Sequence, residues 1–371
     1  MLSRRKFALF SWLVVLTLIV SSCTVEVNPP IETPPVQTVP APPVISATSI
    51  FPITQLPVSW ANLNLTGKLV YTSSTSDQPP VTKIQMLDLK SGNLATISNT
   101  SDGWVYYTTV SPDEKMLALS YSPAVQSGSS SNRSLYRIPL DEVAQPQPLF
   151  VPPTPEDHYT QVEWSPQSNT IYFVHYNHND SAGQFYEVYE IYRMAYPNGT
   201  PEKILERAYW PRLSSDGTRL VYVTLDPSSG LNELFTADTD GTNPQEIVFS
   251  GPWIPDIIDA PLFLPDGQSI LFSAPGPAAS YQPGWLEKLA GIQIAEAHNV
   301  PSDWWSVPVS GGAPTRLTSL QTINLFAAIS PDQKHIASLS GDGIFVMDPD
   351  GSNLTRLVSD PGVHGALSWI P

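Results

Sequence analysis

Cysteine is nearly absent: the 371 residues contain one. That excludes an internal disulfide framework and any zinc site built on paired cysteines. Charge is scarce too, at 14% of residues, and it is lopsided, with 18 Lys and Arg against 34 Asp and Glu for a formal net charge of −16. Recognition of a phosphate backbone needs clustered cations that release counterions, so nucleic acid is excluded as a partner. The longest apolar stretch, Phe7 to Val20, is short for a membrane span. Catalytic signatures are missing as well: there is no Gly-x-Ser-x-Gly elbow, no His-Glu-x-x-His and no phosphate-cradling Gly-rich loop. What the chain has in quantity is punctuation, 39 Pro and 21 Gly among 41% hydrophobic residues. Such a composition suits a turn-rich β protein better than a helical bundle or a disordered chain.

Residues 1–22 have the layout of an export signal: Arg4, Arg5 and Lys6, then the apolar stretch, then Ser21 and Ser22. The single cysteine, Cys23, follows at once. Val20-Ser21-Ser22-Cys23 resembles the bacterial lipobox, which implies that Cys23 is lipidated and becomes the N-terminus of a membrane-tethered extracytoplasmic protein. Ser3-Arg4-Arg5-Lys6-Phe7 also resembles the twin-arginine export consensus, and both export routes stay open. Residues 23–59 are then expected to form the lipidated Cys plus a Pro-rich tether, extended at about 3.1 Å per residue.

From residue 60 the chain repeats itself. Turns of the form Ser-Pro-Asp-Gly recur at Ser111-Pro112-Asp113-Glu114, Ser165-Pro166-Gln167-Ser168, Ser214-Ser215-Asp216-Gly217, Leu264-Pro265-Asp266-Gly267 and Ser330-Pro331-Asp332-Gln333. A five- or six-residue apolar or β-branched strand follows each. Second turns such as Asp238-Thr239-Asp240-Gly241 and Asp348-Pro349-Asp350-Gly351 supply the positive φ angles of tight hairpins, and their likeness to calcium loops ends where the further ligands should be. Four strands per unit, with turns 54, 49, 50 and 66 residues apart, is the pattern of propeller blades.

These repeats, and Trp164-Ser165-Pro166 in particular, resemble those of the TolB-like propeller. The resemblance covers residues 60–371 and implies an all-β, six-bladed β-propeller of four-stranded antiparallel blades. Gly67-Lys68-Leu69-Val70-Tyr71 matches the strand after a turn but has no such turn before it. Leu367-Ser368-Trp369-Ile370-Pro371 matches the missing inner strand, so the C-terminal strand is expected to close the ring, with Asn62–Leu65 as its competitor. TolB-like proteins carry an added N-terminal α/β domain, and a Pro-rich tether stands in its place here.

The two turn families share one face of such a propeller, and the variable loops share the other. Variable loops on a rigid scaffold are where binding residues concentrate. The ligand-face candidates are therefore His158, Tyr159, His175, His178, Trp253, Tyr281, Trp285, Trp304 and Trp305, with an insertion at 275–302 that could hold a short helix, Trp285–His298, as lid or plug. His175 and His178 could approach a metal, but nothing places them on one face, and no metal or cofactor is expected. The expectation for function is a non-catalytic, monomeric module that binds an envelope protein or peptide, with glycan or small-molecule binding in the central funnel as the alternative and propeller enzymes as the third class.

Overall fold

The computed structural model describes residues 51–75, 81–100, 103–123, 133–141, 144–151, 154, 157–179, 186–226, 231–277, 300–359 and 362–371. They form six antiparallel sheets arranged as the blades of a closed propeller. Blade 1 runs outward from Val363–Ile370 through Lys68–Ser74, Thr82–Asp88 and Asn93–Thr100. Blade 2 is Gly103–Val110, Met116–Pro123, Ser134–Pro139 and Gln147–Phe150, and blade 3 is Asp157–Trp164, Thr170–Asn179, Tyr186–Ala195 and Glu202–Glu206. Blades 4 and 5 open with the inner strands Ala208–Leu213 and Asp259–Phe263, and blade 6 with Phe326–Ile329.

The C-terminal strand closes the ring, with Leu69 opposite Trp369 and Lys68 opposite Ile370. Its competitor folds otherwise: Ala61–Leu63 is a single 3-10 turn. Residues 51–59, which composition assigns to the spacer, include a fifth strand on blade 1, Ile53–Gln55, paired with Asn93–Ala95. Phe51 is buried there, and Trp60 is buried with its Nε1 donating to Leu89 O at 2.7 Å. Among the described residues no helix is long and apolar enough to cross a membrane.

The repeat turns form because their side chains close them. Ser214 Oγ donates to Asp216 Oδ1 at 2.6 Å and accepts the Arg219 N–H at 2.9 Å. Ser111 with Asp113 and Ser330 with Asp332 do the same, both at 2.6 Å. The fourth turn position is left-handed in every copy: Glu114, Ser168, Gly217, Gly267 and Gln333 have φ of 58°, 57°, 69°, 61° and 61°, and only glycine takes that conformation without cost. Between blades the core is apolar with indole bridges. Trp304 is fully buried and donates to Ser338 Oγ at 2.7 Å, tying blade 5 to blade 6, and Trp164 donates to Thr109 O at 3.2 Å, tying blade 3 to blade 2.

Candidate ligand-binding site

The inner strands define the central channel, and all but Phe326–Ile329 carry a register shift against the next strand out. A bulge of this kind re-aims a side chain. The residue four places ahead of each turn is Tyr107, Gln161, Trp210, Ala260, Phe326 and, in blade 1, Ala366, and all six line the channel. Gln161, Trp210 and Ala260 hold positive φ angles of 49°, 57° and 45°, a strain that non-glycine residues carry only where the surroundings enforce it.

Large side chains from blades 2, 4 and 6 thus alternate with smaller ones from blades 3, 5 and 1. Tyr107, Trp210 and Phe326 meet edge to face, with centroids 5.7, 5.7 and 5.6 Å apart, the arrangement ring quadrupoles favour. Gln161 Oε1 accepts the Trp210 N–H at 2.6 Å. These rings form a waist that divides the channel.

On the turn side of the waist lies a cavity of about 410 Å³. Glu163 and Arg212 pair in its wall at 3.4 Å, and Arg219 donates to Gly267 O at its mouth. Burial pushes the Glu163 carboxyl up, while Arg212 and the Leu213 N–H pull it back.

On the loop side the walls are aromatic. His364 stacks on Trp104 at 5.0 Å, and Trp104 meets Tyr106 edge-on at 6.4 Å. The Arg133 guanidinium lies 3.8 Å over the Tyr106 ring and 5.5 Å from Tyr176. Tyr176 stacks on His158 at 4.7 Å and continues to Tyr189 at 5.6 Å, which meets Tyr209 at 5.4 Å. The result is an aromatic arc through blades 1 to 4 with one cation at its middle. Buried Asp259 stands near its end and accepts the Trp210 Nε1–H at 3.1 Å. Burial pushes the Asp259 carboxyl up to about 7, the indole bond opposing it.

Of the residues singled out in the sequence, His158 belongs to this arc and accepts the Arg133 backbone N–H on Nδ1 at 3.1 Å. Tyr159 is buried against Phe150 and Phe173. His175 spends both ring nitrogens on carboxylates, Asp157 at 2.8 Å and Glu190 at 3.2 Å. Burial raises both acids, but bonds from His175 with Thr154 and Asn177 at Asp157, and from Lys203 and His175 at Glu190, more than offset it and hold them low. Trp304 is interior, and Trp305 packs against Trp253 at a tilt, with centroids 4.1 Å apart and its Nε1 donating to Ala274 O. Neither reaches the arc through any contact above. Cys23, Tyr281, Trp285 and the His178 side chain lie outside the described residues. Trp104, Tyr106, Arg133, Tyr189 and Tyr209 escape sequence reading because only the bulged inner strands and the ring closure bring them together.

The molecule is a closed six-bladed propeller with a pinched channel. Among solved structures it is similar to TolB from Acinetobacter baumannii, at 16% identity and a TM-score of 0.56 over 82% of this chain and 67% of that one. Putative TolB from Agrobacterium tumefaciens matches at 18% identity and a TM-score of 0.54, over 81% and 99% of the two chains. Kuenenia stuttgartiensis hydrazine synthase matches at 12% identity and a TM-score of 0.56, over 81% and 46%. At such identities the likeness is one of fold, which TolB proteins and an enzyme share. No protein-family model and no curated protein matches the sequence.

Proposed function

We propose that this protein is a non-catalytic, extracytoplasmic propeller, tethered to a membrane through lipid on Cys23, that binds a protein or peptide of the cell envelope at its loop face. The observation that carries this reading is the aromatic arc from His364 to Tyr209, a run of neighbouring rings on the loop side of the blades. Tyr and Trp supply contact area at low entropic cost and dominate interface energetics. The likeness of fold to TolB supports it, and the export-type sequence of residues 1–22 supports the location.

The test is affinity capture from solubilised envelope with the full chain beside a Trp104→Ala/Tyr189→Ala variant whose melting curve matches. An envelope protein retained by the first and lost by the second is the expected result; equal capture by both removes the loop face from the reading. A second reading has its own observation, the cavity on the turn side of the waist, whose volume of about 410 Å³ is in the range of small-molecule sites. Small-molecule binding there predicts a melting shift that disappears in Arg212→Ala.

A further inference from the structure

Arg133 is the cation of the loop-side arc, and among the described residues it lacks the carboxylate partner that several other arginines have. Arg193, Arg212 and Arg316 each sit on a carboxylate, at 2.9, 3.4 and 2.5 Å. Arg133, by contrast, is half-buried against the rings of Tyr106 and Tyr176 and forms no ion pair among the described residues. Its backbone is pinned on both sides: the N–H donates to His158 Nδ1 at 3.1 Å, and the C=O accepts the Tyr159 N–H at 3.0 Å. Ring contact covers a face of the guanidinium and a side-chain hydrogen bond goes to Tyr106, and the remaining donors of the five lie in its plane for another group.

Resting on the loop-face reading, we infer that Arg133 is the anion anchor of the site and that the bound segment is a peptide presenting a single carboxylate between aromatic or apolar side chains. A guanidinium partly withdrawn from water has lost solvation that a carboxylate restores through two parallel N–H···O bonds. The half-buried rings beside it, Tyr106 and Trp104, would hold the flanking side chains. A polyanion is disfavoured, because the chain carries a net charge of −16 and repels multiple charges wherever they are not screened. One carboxylate in contact with Arg133 escapes that penalty, since contact attraction outweighs a screened field.

The probes are three tripeptides: acetyl-Trp-Glu-Trp-amide, its neutral isostere acetyl-Trp-Gln-Trp-amide, and acetyl-Trp-Gln-Trp with a free C-terminus. Each is titrated calorimetrically into the full chain, Arg133→Gln, Arg133→Lys and Trp104→Ala/Tyr189→Ala. The expected result is binding of an acidic probe about tenfold tighter than the neutral one, with the preference abolished in Arg133→Gln and partly kept in Arg133→Lys. Which acidic probe is preferred separates a side-chain carboxylate from a chain terminus. Equal binding of all probes to the wild-type chain and to Arg133→Gln, with loss in the double aromatic variant, overturns the anchor and leaves the loop-face reading standing. Absence of binding to the wild-type chain, or binding that survives the double aromatic variant, overturns both. Arg133→Lys keeps the charge, so the comparison holds even where Arg133→Gln is poorly folded.

Discussion

At the turn mouth of the channel Arg212 meets Glu163 and Arg219 meets a backbone carbonyl, whereas at the loop mouth Arg133 meets rings and Asp259 meets an indole N–H. The turn mouth is dictated by the repeat: serine and aspartate side chains close each hairpin, and the polar groups are spent on structure. The loop mouth is dictated by what the repeat leaves free. Groups there have been taken from water without an equal partner, which is how binding sites differ from scaffold.

The sharpest way to break this contrast is to remove the waist between the two mouths. Trp210→Ala deletes a buried ring and the donor to Asp259, and should cost about 3–5 kcal/mol in denaturant unfolding. Next comes Asp259. Its folded-state pKa, pushed up to about 7 from 3.8, means the folded chain keeps a proton that the unfolded chain has released. Stability from this group is therefore present below about pH 4 and declines as pH rises to 7. Between pH 5 and pH 8 that decline amounts to roughly 2–3 kcal/mol, two pH units at about 1.4 kcal/mol each. Asp259→Asn should abolish it, which denaturation midpoints at the two pH values would show; an unchanged slope would place the proton elsewhere.

On the turn side, Arg212→Ala leaves Glu163 buried without its cation and should cost about 1–3 kcal/mol, with Glu163→Gln in the same background recovering part of it. Ser214→Ala removes the closure of a single turn, about 0.5–1.5 kcal/mol, and should add to Ser330→Ala because the two turns share no partner. Trp104→Ala should have the smallest effect on stability, under about 1 kcal/mol, while acting on binding. If it destabilises as much as Trp210→Ala, the arc is scaffold and the contrast between the mouths is lost.

The same contrast explains what could be read in advance. Turn spacing showed the blades because the chemistry of a hairpin is local: Ser214, Asp216 and Gly217 are all in the sequence motif that they close. Even the ring closure was visible, since Leu367–Ile370 matches the strand pattern missing ahead of Lys68. The site was not, because it depends on one-residue bulges. A shift of register re-aims Tyr107, Gln161 and Trp210 toward the axis, and no residue type announces it. Trp304 and Trp305 lie away from the arc for a local reason: adjacent strand residues point to opposite sides, and their strand, Asp303–Pro308, is the third of its blade, so one indole enters the blade 5–6 core and the other covers Trp253.

Blade 1 has a consequence for mechanical load. A pull on the chain ahead of Phe51 enters the propeller through Ile53–Gln55, an outermost strand held by the three residue pairs Ile53–Ala95, Thr54–Leu94 and Gln55–Asn93. That short strand would peel away first, while the strand that shuts the ring sits at the far side of the same sheet, shielded by three others. Tension on the chain ahead of Phe51 would thus be spent on a replaceable edge before it reached the channel.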